Sequence, residues 1–74
     1  MTRIDKFRAL KSHAWLGKVY AKLTKVEIEI GEDLLAKHED TSRDELATII
    51  VRLWLDKEKP KHWQNLEELL IASI

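Results

Sequence analysis

The side chains best suited to metal ligation or proton transfer in this 74-residue chain are three histidines, His13, His38 and His62. They stand singly, without the paired spacing of a helical zinc site or the HExxH arrangement, so no metal site is expected. The absence of cysteine removes thiolate ligands and disulfides and favours an intracellular setting. No serine lies in a nucleophile elbow and no glycine-rich loop offers to cradle phosphate. The carboxylates cluster in patterns of exposed helix starts, whereas acid–base catalysis needs them in apolar pockets that raise their pKa. The residues therefore predict a non-enzymatic protein without a cofactor.

Charge is the remaining chemical resource. Lysine plus arginine and aspartate plus glutamate balance at 13 each, which argues against strong direct nucleic-acid binding, since phosphate neutralisation needs a surplus of cations. The balance is not uniform along the chain. Residues 1–25 carry Arg3, Lys6, Arg8, Lys11, Lys18, Lys22 and Lys25 against Asp5 alone. Residues 26–50 carry Glu27, Glu29, Glu32, Asp33, Glu39, Asp40, Asp44 and Glu45 against Lys37 and Arg43. Two arrangements fit: neighbouring faces that neutralise each other, or an acidic surface that receives a basic partner.

These side chains have to be positioned by helices. The strongest helical pattern is Ser42 to about Glu58, in which Leu46, Ile50, Leu53 and Trp54 are core candidates and Glu45, Thr48, Arg52 and Asp56 form a narrow polar line. Ser42 followed by Glu45 has the spacing of a capping box, and Pro60 stops the helix while suiting the first turn of the next. Before it, Thr2 and Asp5 open a helix over about 3–12 with Phe7 and Leu10 inward. Ser12 is placed to cap a second, with Leu16, Val19 and Leu23 inward and Gly17 weakening its first turn. Lys25 to Ile30 alternates polar and apolar residues, the period of a strand, and predicts an extended connector, with strand pairing in a dimer as the other solution. Glu32 to about Glu39 then predicts a short helix through Leu35, either separate from the 42–58 helix or kinked into it. After Pro60, Trp63, Leu66, Leu69 and Leu70 give a last amphipathic helix. The three tryptophans fall on apolar stripes, which assigns them to packing rather than base stacking.

The sum is an all-α single domain over residues 1–74, a bundle of four to five helices around the central helix at about 42–58. A chain this short buries only about 60% of the surface of its unfolded form. No apolar run approaches the roughly 18 residues of a membrane span, and residues 1–14 lack the pattern of a signal peptide, so a cytoplasmic protein is expected. A strand at 25–30 followed by two helices is also the order of a ribbon-helix-helix dimer, although Glu27 and Glu29 would then face phosphate. Arg52-Leu53-Trp54-Leu55, Pro60 and Trp63 with Leu66 and Leu70 resemble the later helices of death-fold interaction domains, which add a sixth helix.

Over residues 1–67 the chain resembles the Hha/YmoA family of haemolysin-expression modulators. The likeness is carried by Met1-Thr2, Asp5, Leu10, Lys25, Glu29, Asp33, Leu35, Leu46-Ala47, Asp56-Lys57, Pro60 and Trp63-Gln64. The family's central A-D-H-R-L-A-E-L run stands here as Ser42-Arg43-Asp44-Glu45-Leu46-Ala47-Thr48-Ile49, and Glu68 to Ile74 is an addition. The resemblance implies a small helical accessory protein that docks on the histone-like nucleoid-structuring protein and modulates gene silencing. It also implies acidic residues that meet arginine on that partner. The matching positions are Glu32 and, with reversed charge, Arg43, so that Asp33 and Asp44 are the adjacent substitutes. Alternative readings are a death-fold-type adaptor, a ribbon-helix-helix DNA binder or a designed scaffold without natural function.

Overall fold

A computed structural model describes residues 2–55 and 63–74, apart from the side chain of Trp54. Among these residues all regular structure is helical: α1 (Arg3–Ala9), a 3-10 turn (Leu10–Ser12), α2 (Leu16–Tyr20), α3 (Lys25–Lys37), α4 (Arg43–Leu55) and α5 (Trp63–Ser73). The stop at Pro60, its place in a first turn and the core role of Trp54 fall outside the described residues.

The start of α1 is set by Thr2. Its Oγ1 accepts from the Asp5 amide at 3.1 Å, and the Asp5 carboxylate accepts from the Thr2 amide at 3.3 Å. These bonds hold the Asp5 carboxyl below its ordinary pKa. The chain then tightens into the 3-10 turn and reaches Ser12, the expected end. Ser12 does not cap α2, however. His13 does, its Nδ1 accepting from the amides of Trp15 at 3.2 Å and Leu16 at 3.1 Å. Gly17 has a steric reason to be there, because a Cβ at that position would lie 2.8 Å from the Lys11 carbonyl oxygen.

The extended connector expected at 25–30 is instead the first part of α3. Thr24 and Glu27 form a capping box, each side chain accepting from the other residue's amide at 3.2 Å. The alternation is incidental: Val26, which a strand would have buried with Ile28 and Ile30, is 64% exposed. Glu27, Gly31 and Leu35 make the buried line at intervals of four, the helical period. A ribbon-helix-helix arrangement would require a strand where these helical turns stand. Nor does Gly31 end an element. It lies inside α3, where a Cβ would come within 3.0 Å of Leu66 Cδ1 and 3.2 Å of Phe7 Cζ, so glycine lets α3 approach α5 and α1.

His38 closes α3 with its backbone outside the helical region, and Ser42 Oγ accepts from the Glu45 amide at 3.3 Å to open α4. Residues 32–55 therefore form parts of two helices. The bundle is centred on α5, which packs against α1, α2, α3 and α4, and not on the 42–58 helix as its apolarity suggested. Leu66, Leu69 and Leu70 on α5 are fully buried against Phe7, Leu35, Leu46 and Ile50, with Val19, Tyr20 and Leu23 completing the core. The rings of Phe7 and Tyr20 meet at 5.4 Å between centroids, tilted by 52°. Leu10, Leu16, Leu53 and Trp63 are only partly buried around this cluster. Apolar side chains on α4 exceed what α5 can cover, so Leu55 is left 72% exposed.

Candidate protein interface

The charged thirds of the chain meet along the seam between α1 and α3. Arg8 reaches Glu32 through two bonds, Nη2 to Oε2 at 2.9 Å and Nε to Oε1 at 3.3 Å, and the pair raises the Arg8 pKa. The Arg3 guanidinium donates to the His38 carbonyl, and its amide donates to the Glu39 carboxylate at 3.1 and 3.2 Å. Among the described residues one ion pair, Arg8–Glu32, thus joins the positive first third to the negative second third, and Arg3 adds bonds to the turn after α3. Exposed pairs of this kind contribute little stability, about 0–1 kcal/mol each, and mainly fix how α1 lies on α3.

The three acidic residues expected to meet a partner are differently placed. Glu32 is committed to Arg8. Asp33 pairs with Lys37 one turn on, at 3.0 Å. Asp44 is exposed in the first turn of α4, where an anion is favoured by the helix dipole, and its carbonyl accepts from Thr48 Oγ1 at 3.0 Å. Glu32 and Asp33 are neighbours on α3 while Asp44 stands on α4, and among the described residues no three acidic or histidine side chains converge.

A different feature occupies the side of α3 turned to α4. Ile30 and Leu34, one helical turn apart, face Ile49 and Leu53, also one turn apart, across a groove of about 440 Å³ rimmed by Asp33, Lys37 and His38. On the opposite side of α4, Val51 and Leu55 are exposed. An apolar trough with a charged edge can receive the apolar face of a partner helix. Among the described residues no three histidine, aspartate or glutamate side chains converge as metal ligands, and no helix is long and apolar enough to cross a membrane.

Trp15, assigned by its spacing to packing, is 59% exposed on the side of α2 that carries Lys18. Two polar residues of structural importance were missed. Glu27 is 6% exposed, with Oε1 held by the Thr24 amide and Oε2 without a hydrogen-bond partner. Its signal was present in the sequence, because Thr24 and Glu27 repeat the spacing of Ser42 and Glu45. His13 had no comparable signal, since a histidine cap looks like any isolated histidine.

Comparison with protein-family models, with curated proteins and with solved structures finds no match to this chain.

Proposed function

We propose that the chain is a non-enzymatic, cytoplasmic protein-interaction module that docks a partner helix through the face between α3 and α4. The observation that carries this reading is the apolar groove of Ile30, Leu34, Ile49 and Leu53. Leaving Leu side chains of the groove partly in water forgoes some of the about 1.5–3 kcal/mol that full burial of each would supply, and a partner that covers them recovers that energy.

The resemblance to haemolysin-expression modulators makes the histone-like nucleoid-structuring protein the first partner to test. Asp33 on the groove rim and exposed Asp44 would meet its arginines, while Glu32 would have to exchange Arg8 for the partner's charge. In an amide spectrum at about 150 mM salt, duplex DNA is expected to cause little change. The N-terminal dimerisation domain of the nucleoid protein is expected to shift Ile30, Asp33, Leu34 and Ile49. Tight DNA binding by the chain alone, or shifts confined to α1 and α2, would count against this assignment.

A second reading, a death-fold-type adaptor, is favoured by a separate observation. Leu66 and Leu70, which carry that resemblance with Trp63, lie on the helix against which the others pack. Leu69 and Leu70, both fully buried, also lie beyond the stretch similar to the haemolysin modulators. Absence of shifts with the nucleoid protein, together with binding to a death-fold domain that is lost in Leu55→Asp, would select the adaptor.

A further inference from the structure

We infer that His13 is a pH-operated latch on the turn between the 3-10 segment and α2, closed while its imidazole is neutral and opened by protonation. The two bonds to its Nδ1 define the neutral state. Both Trp15 and Leu16 donate backbone N–H groups to that nitrogen, at 3.2 and 3.1 Å, so Nδ1 must present a lone pair and the ring proton must sit on Nε2. A second proton can enter only at Nδ1. It would turn the acceptor into a donor aimed at two other donors, and both backbone bonds would be lost together.

The latch holds a defined surface. Beyond it the chain continues through bonds from Gly17 N to the His13 carbonyl at 3.0 Å and from Lys18 N to the Trp15 carbonyl at 3.1 Å. Trp15, Lys18 and Lys22 follow at helical spacing, all exposed, while Val19 and Tyr20 turn inward to the core. Opening the turn frees the exposed indole and its neighbouring lysines from a fixed arrangement while Val19 and Tyr20 keep the rest of α2 anchored.

The charged and titratable groups on the surrounding elements are Lys11 on the 3-10 turn, Arg3, Asp5, Lys6 and Arg8 on α1, Lys18 and Tyr20 on α2, and Glu67 and Glu68 on α5. None of these is hydrogen-bonded or ion-paired to the His13 ring, whose bonds are the two to backbone amides. His38 supplies an internal contrast. Its Nδ1 faces Thr41 Oγ1 at 3.4 Å, and a hydroxyl can act as donor or acceptor, so protonation there need not break the contact.

The test is a nitrogen and amide NMR titration of the intact chain from about pH 8 to about pH 5, the interval in which imidazoles commonly change charge. At the upper end the His13 ring should be the Nε2–H tautomer. On acidification the Trp15 and Leu16 amides should shift with the same midpoint as that ring. In His13→Asn, whose side-chain oxygen accepts without titrating, both amides should remain bonded and lose the response. In His13→Ala the turn should open on the order of fivefold more often than in the parent at about pH 8, the usual effect of removing a side-chain cap, and the difference should vanish at about pH 5. An Nδ1-protonated neutral ring, amides that do not follow the ring, or an unchanged response in His13→Asn would each overturn the inference.

Discussion

Two residues show how local preference and packing compete. Glycine inside a helix costs about 0.5–1 kcal/mol relative to alanine, so propensity alone recommends Gly31→Ala. The added Cβ would press on Leu66 and Phe7, both fully buried and unable to give way. Overpacking of this kind costs about 1–3 kcal/mol, more than propensity returns. Gly31→Ala is therefore expected to lower the denaturant midpoint; a more stable variant would show that the α3–α5 contact can relax. Glu27 presents the converse case, because one carboxylate oxygen serves the cap and the other is buried without a partner. Glu27→Gln keeps an acceptor for Thr24 and removes the buried charge, so its stability should equal or exceed the parent's. Glu27→Ala loses the cap and should cost about 1 kcal/mol. Denaturation of both variants at neutral pH checks the distinction, and equal losses would contradict it.

At the scale of elements, two of the three helix starts read from a capping residue were legible, while Ser12, the third, does not cap α2. Thr2 with Asp5 and Ser42 with Glu45 mark α1 and α4 within a residue of where they begin. The same signature at Thr24 and Glu27 was outweighed by six alternating residues, too short a run to decide between periods of 2 and 3.6. Continuing the helical count through Gly31 to Leu35 distinguishes them, because the burial then repeats every fourth residue. Thr24→Ala should consequently unravel the first turn of α3 and cost about 1 kcal/mol, visible as lost helical shifts at Lys25 and Val26. Persistence of helical shifts there would mean that packing, and not the cap, starts α3. The Thr2 box adds a pH dependence. Because its hydrogen bonds lower the Asp5 pKa from the ordinary 3.8, their contribution is present above that value and lost as pH falls through the lower folded value. The Thr2 amide should report this loss in acid, and Asp5→Asn should remove the titration.

At the scale of the molecule, apolar content identified the wrong centre. Residues 43–55 form a helix apolar on most sides, but among its described side chains only Leu46 and Ile50 are fully buried, whereas α5 buries Leu66, Leu69 and Leu70. A helix's hydrophobicity records how much surface wants covering; which neighbours cover it depends on tertiary arrangement, which a single sequence leaves open. The candidate interface was illegible for the same reason. The acids at 32, 33 and 44 were visible as residues, but Arg8 on Glu32 and Lys37 on Asp33 become evident only when α1 lies on α3 and the turn of helix is closed. The difference between the two helices has an energetic consequence. Leu70→Ala should cost about 2–5 kcal/mol, a large part of the stability of so small a domain, while Leu55→Ala should stay within about 0.5 kcal/mol. Thermal melts of the pair separate a core position from an exposed one.

The docking role of the α3–α4 face is tested most directly by site-specific photo-cross-linking in the cells that make the protein. A photoreactive residue in place of Lys37, on the groove rim, is expected to give one discrete protein adduct, which Ile49→Asp abolishes while the helical circular-dichroism spectrum persists. The same probe in place of Lys18, on α2, is expected to give none. An adduct from position 18 alone, equal adducts from both positions, or an adduct at 37 that survives Ile49→Asp would contradict the assignment of this face as the interface.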